Sequence, residues 1–187
     1  MSAPPSSPAS GFVTVLARIS LVLAALGLAW ALAQMALALV LTDAAIARLA
    51  ARPIVPAAVL WSLEHRRVLS LALLLLSLLF LAVAWGLWLR REWARWAFIA
   101  LLAAGAAANF AGLGLIGPFF DAIMAIHPAG LLDTPDGQQF VARLDASRRM
   151  AWITSLAGAL AITGLHGWLA WKLCTAPVRA EFDRRQT

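Results

Sequence analysis

The chain has 187 residues, 63% of them hydrophobic and 13% charged, with a formal net charge of +6. Soluble domains carry about 45–50% apolar and about 25% charged residues, so a soluble globular fold is excluded and the surplus apolar surface must face lipid. Nucleic-acid binding is excluded by placement: such proteins cluster basic side chains on one face, whereas here they stand at the ends of apolar runs, where they anchor helices among headgroups.

Residues 1–10 are rich in Pro and Ser and read as a short disordered tail. A spanning helix needs about 20 mostly apolar residues. Four stretches qualify: 19–42, 68–89, 96–120 and 150–171. None contains an Asp, Glu, Lys or Arg, each of which costs roughly 2.5–3.5 kcal/mol at a helix centre. Ala31-Leu32-Ala33 fits a signal-cleavage pattern, but Met1–Gly11 lacks the basic residues of a signal peptide and the apolar run continues past Ala33. The first stretch is therefore read as a span.

The first span is expected to extend through Ala50, until Pro53 and Pro56 stop it. The second, dominated by Leu between Leu71 and Leu81, is expected to face lipid on much of its surface. The third carries Ala104, Ala108 and Gly112, a small-residue groove at every fourth position that permits close helix approach. The fourth carries Gly158, Gly164 and Gly167, so spans three and four are expected to form the tight pair. Gly117-Pro118 ends span three, and Thr134-Pro135 has the cap and first-turn proline of a helix running into span four. The whole is an all-α, integral membrane four-helix bundle: one domain over 11–175 and a basic tail over 176–187.

With four spans, both termini share one side. That side holds Arg18, Arg90, Arg91, Arg95, Lys172, Arg179, Arg184 and Arg185; the other holds Arg48, Arg52, Arg66, Arg67, Arg143, Arg148 and Arg149. The short 90–95 loop concentrates three arginines, and short loops weigh most in the positive-inside rule, so both termini are expected in the cytoplasm. Lys172 is the one lysine among 15 basic residues, and Ala and Leu dominate. That bias points to a bacterial inner membrane. Six tryptophans, from Trp85 to Trp96 and at Trp168 and Trp171, form an aromatic belt on the termini side.

Apart from Ser and Thr, which are plentiful, polar groups inside the spans are few: Gln34, Asn109 and His166. An ionisable intramembrane residue is a functional hypothesis by default, but interhelical hydrogen bonding is the commoner role of such groups. Arg66, Arg67, Arg148 and Arg149 sit at one membrane edge and are candidates for anionic-lipid contact, or for pairing with Glu64, Asp121 or Asp145. Asp121, His127, Asp133 and Asp136 match no metal-ligand spacing. The single cysteine, Cys174, rules out an intramolecular disulfide. No nucleophile elbow, P-loop or zinc-helix motif occurs, so no catalytic, cofactor or metal site is assigned.

The segment Gly86-Leu87-Trp88-Leu89-Arg90-Arg91-Glu92-Trp93-Ala94-Arg95 ends one span and starts the next with a basic pair and W-A-R. In this turn, and in its topology throughout, the chain resembles small four-span bacterial inner-membrane proteins. The resemblance implies a topology and carries no activity. The expected role is a non-enzymatic accessory or assembly subunit acting through helix–helix contacts, with the lipid bilayer and a membrane-protein partner or second copy as partners and no cofactor. The alternative is a small transporter or channel with a polar path near Gln34, Asn109 and His166.

Overall fold

The computed structural model describes residues 8–51, 57–127, 130 and 134–183. The helices are α1 (Pro8–Val40), α2 (Asp43–Ala50), α3 (Ala57–Glu64), α4 (Arg66–Trp88), α5 (Glu92–Leu113), α6 (Ile116–Ala125), α7 (Pro135–Cys174) and α8 (Ala176–Asp183). Four segments are long and apolar enough to cross a membrane: 11–40, 66–88, 92–125 and 135–174. The protein is an all-α bundle of four membrane-crossing helices.

The helix ends follow from local chemistry. Thr134 caps α7, its hydroxyl accepting from the Gly137 N–H at 3.1 Å, and Pro135 occupies the first turn. Pro118 has no N–H to offer the carbonyl of Gly114, and its ring crowds that carbonyl. The backbone answers with tighter bonds, Gly114 N–H to Ala111 O and Leu115 N–H to Gly112 O, which break span three into α5 and α6. Span one does not run unbroken to Ala50. It stops at Val40, and Thr42 restarts the chain as α2 by accepting from the Ala45 N–H.

The tight pair expected between spans three and four is not the most extensive one. That is the antiparallel pair α1 and α4. On α1, Val13, Ala17, Ser20, Ala24, Ala31 and Ala38 are buried, and Gly27 and Gln34 fill the intervening seam positions. The alternating spacing of four and three is a heptad pattern, and its small residues bring the backbones close. Ser70 on α4 directs its hydroxyl across this seam to the carbonyl of Gln34, while Ser77, which donates to Leu73 O of its own helix, comes within 3.5 Å of the carbonyl of Gly27. Span two is lipid-facing on its other side, where Leu71, Leu75, Leu76 and Leu79 are exposed.

The α4–α5 hairpin closes with a Schellman arrangement: Arg91 N–H to Gly86 O at 2.9 Å and Arg90 N–H to Leu87 O at 3.0 Å. The left-handed position that normally takes Gly is held by Arg90, at φ 59. Gly86 is required for a different reason: a Cβ there would lie 2.6 Å from Ala94 Cβ.

Packing then runs α1 to α4, α4 to α5 and α5 to α7. The short α8 touches both α7 and α1 and completes the circuit. The region 176–187, set apart as a tail by its polarity, is therefore a packed helix over Ala176–Asp183. Its Val178 and Phe182 are fully buried in one apolar cluster with Val13, Leu16, Val83, Leu87, Phe98 and Leu173. Residues 1–7 of the expected N-terminal tail lie outside the described residues, and Pro8–Ser10 belong to α1.

Candidate functional site

The intramembrane polar residues go to three separate places. Gln34 lies on the α1–α4 seam. His166 reaches from α7 to α5, where its Nδ1 lies 3.0 Å from the carbonyl of Leu102. A carbonyl only accepts, so Nδ1 carries the proton and donates. Gly105 makes this approach possible: a Cβ there would sit 3.3 Å from the His166 ring. Among the described residues no hydrogen bond links Gln34, Asn109 and His166 to one another.

Asn109 opens onto a crevice of about 270 Å³ between α5, α6 and α7, lined also by Gly112, Leu113, Ile116, Ser155, Gly158 and Ala159. The glycines create the space: neither Gly112 nor Gly158 has any atom within 4 Å of where a Cβ would stand.

Ala104, Ala108 and Gly112 are all exposed. The α5–α7 contact runs through Leu102 and Gly105, which meet His166, and Gly112 edges the crevice across from Ser155 and Gly158. The expectation that this stripe packs spans three and four against each other is corrected for Ala104 and Ala108, which stay exposed beside that seam, and not for Gly112.

The arginines divide into clamps and anchors. Arg66, expected at the headgroups, is buried and fully engaged. It donates to Ala38 O at 3.2 Å, Leu41 O at 2.8 Å, Leu63 O at 3.0 Å and Asp43 Oδ1 at 2.6 Å. It thereby satisfies the orphan carbonyls at the end of α1, and it leaves the lipid-contact set. Its hydrogen bond holds the Asp43 carboxyl below the usual carboxylate range. Arg148 pairs with Asp121 at 3.0 Å, a partner the sequence offered, and remains partly exposed. Arg67 and Arg149 are exposed. His127 turns back to Ile123 O and packs on Phe140, away from any acidic cluster, and Asp133 lies outside the described residues.

Two more clamps stand on the opposite side. Arg95 is 2% exposed; it pairs with Glu92, reaches Leu173 O at the end of α7 at 3.3 Å, and lies over the Trp96 ring. Arg90 pairs with Glu181 of α8 and donates to Thr14 Oγ1 of α1 at 2.9 Å. Arg18 lies over Trp88. Sequence reasoning counted these arginines as topology signals and missed their second use.

No family model, curated protein or solved structure matches this chain. Its role has to be argued from these surfaces alone.

Proposed function

We propose that this chain is a multi-pass protein of a bacterial inner membrane, with both termini in the cytoplasm, that acts without catalysis as an accessory or assembly subunit through helix–helix contacts. The observation that carries this reading is the outward small-residue face of α5. Ala104 and Ala108 are exposed small residues, and Gly112, one turn on, is exposed at the edge of the crevice. Small residues in lipid favour association by allowing close backbone approach. The adjoining crevice adds Asn109, whose side-chain amide has no hydrogen-bond partner among the described residues. In hydrocarbon such an amide favours a partner that can satisfy it. The dispersal of Gln34, Asn109 and His166 weighs against a shared polar path and so against the transport alternative.

The test is the double variant Ala108→Leu, Gly112→Leu, purified in mild detergent from its native membrane. Both positions are exposed, so thermal stability should match the parent while the co-purifying partner, or the homo-oligomer, is lost. A variant that keeps its full set of associates would refute the reading.

A further inference from the structure

The four spans are joined in a row by direct packing, α1 to α4 to α5 to α7, and the short helix α8 is what joins the two ends of that row. Its apolar face is small. Val178 and Phe182, four residues apart and so on one side of the helix, are both fully buried in one cluster with residues of α1 (Val13, Leu16), α4 (Val83, Leu87), α5 (Phe98) and α7 (Leu173). Its polar side pairs Glu181 with Arg90, and its Arg179 and Asp183 lie within electrostatic reach of Glu92 and Arg95. Arg90 in turn holds Thr14 of α1, so one guanidinium ties the α4–α5 turn to α8 and α1 together. Elsewhere α1 meets α7 through an edge-on contact of Phe12 with Trp168.

One feature makes this docked state a poised one. The other carboxylate oxygen of Glu181, Oε1, is buried with no hydrogen-bond partner among the described residues, which is an unfavourable arrangement for a polar atom. That penalty is relieved if α8 leaves, and the one-residue link at Thr175 lets it leave while the last carbonyls of α7 stay held by Arg95 and by the Thr175 hydroxyl.

We propose that α8 is a releasable latch: docked, it closes the spans into a ring at the termini side; released, it lets the α1–α4 hairpin and the α5–α7 hairpin part there, turning about the α4–α5 seam. This goes beyond the assembly reading and does not depend on it.

The test uses full-length protein in phosphatidylethanolamine–phosphatidylglycerol liposomes, with Cys174→Ser and spin labels at Val15→Cys and Trp171→Cys. These exposed positions lie on α1 and α7, one on each hairpin. The latch is weakened by Phe182→Ala or, separately, by Arg90→Gly. The second keeps the turn, because glycine is the favoured residue at that left-handed position, and removes only the clamp. Electron–electron distance measurement should show one narrow population with the latch intact and a second, longer one in both variants. Hydrogen exchange over 176–183 should speed up roughly tenfold or more while the amides of α5 and α7 stay protected, as expected for local opening. An unchanged distance with faster exchange in α8 would overturn the proposal, since α8 would then be a passenger. Unchanged exchange in α8 would overturn it too, as would loss of protection through the spans, which would make α8 an inseparable part of the core.

Discussion

The two ends of the bundle are built differently. At the termini side, residues from α1, α4, α5, α7 and α8 share one buried apolar cluster, and two arginines join elements far apart in sequence. At the opposite side α2 packs on α3, α3 on α4 and α6 on α7, each with a near neighbour in the fold, and among the described residues no helix bridges the two hairpins as α8 does. Arg66 and the Arg148–Asp121 pair fasten helix ends there one hairpin at a time. The lesson is that a membrane bundle need not be uniformly tight. Lipid supplies no hydrophobic drive between helices, so cohesion concentrates where an amphipathic segment and buried charge pairs can be added.

The largest test of this asymmetry compares the two buried clamps. Arg95→Met uncaps the end of α7 and leaves Glu92 with the Trp96 side chain and Arg179 nearby. Removing one partner of a buried pair costs about 3–5 kcal/mol, and the 30% exposure of Glu92 puts the expected loss at the lower end of that range. Arg66→Met gives up carbonyl bonds at the end of α1, but its acid Asp43 is 82% exposed and rehydrates freely. The loss there should be about 1.5–3 kcal/mol, the range for hydrogen bonds to a charged group. Equilibrium unfolding of both variants in mixed micelles gives the ranking. Equal losses, or a larger one for Arg66, would mean that the two ends are equally cohesive.

Glycine substitutions sharpen the same contrast on a smaller scale. At Gly86 a methyl would collide with Ala94 Cβ at 2.6 Å, and a Cβ has no rotamer with which to step aside. Gly86→Ala should therefore destabilise by about 1–3 kcal/mol through overpacking. At Gly158, by the crevice, the methyl meets nothing within 4 Å. Gly158→Ala should be neutral, or stabilising by up to about 1 kcal/mol through helix propensity. Melting temperatures measured side by side would expose a reversed order.

Much of this was legible in the sequence, and the illegible parts share a cause. The spans stand out because burial in lipid requires long uncharged runs, and the start of α7 is visible because Thr134 and Pro135 do local work. The α1–α4 seam was also visible in principle: Ala17, Ala24, Ala31 and Ala38 recur every seven residues, but alanine in an apolar run draws less notice than glycine. The pairing of spans three and four was found, but Ala104 and Ala108 stay exposed beside it, because a run of small residues says that a helix can come close and not which side of the run it meets. Arg66 and α8 were misread for related reasons. An arginine at a span end looks the same whether it anchors in headgroups or caps another helix. Likewise, two apolar residues in a polar segment do not reveal the slot they fill.

The smallest effect is a pH-dependent one, confined to the loop-side end. The hydrogen bond from Arg66 lowers the pKa of Asp43 from its ordinary value of 3.8. A carboxyl whose folded pKa is depressed stabilises the fold at all pH values above its unfolded pKa, and the contribution disappears as the pH falls through the folded one. The Asp43–Arg66 contact should thus be constant from neutral pH down to about pH 4, and weaken only below it. Because Asp43 is at the surface, the change should remain local. Hydrogen exchange at residues 41–46 should quicken on acidification, once corrected for the intrinsic rate, while the exchange of Leu102 to Leu113 on α5 stays constant. Asp43→Asn should abolish the pH dependence and leave the three carbonyl bonds of Arg66 in place. If the variant instead behaved like Arg66→Met at neutral pH, the carboxylate and not the carbonyls would be what fixes the guanidinium, and the end of α1 would be held by an ion pair at the surface.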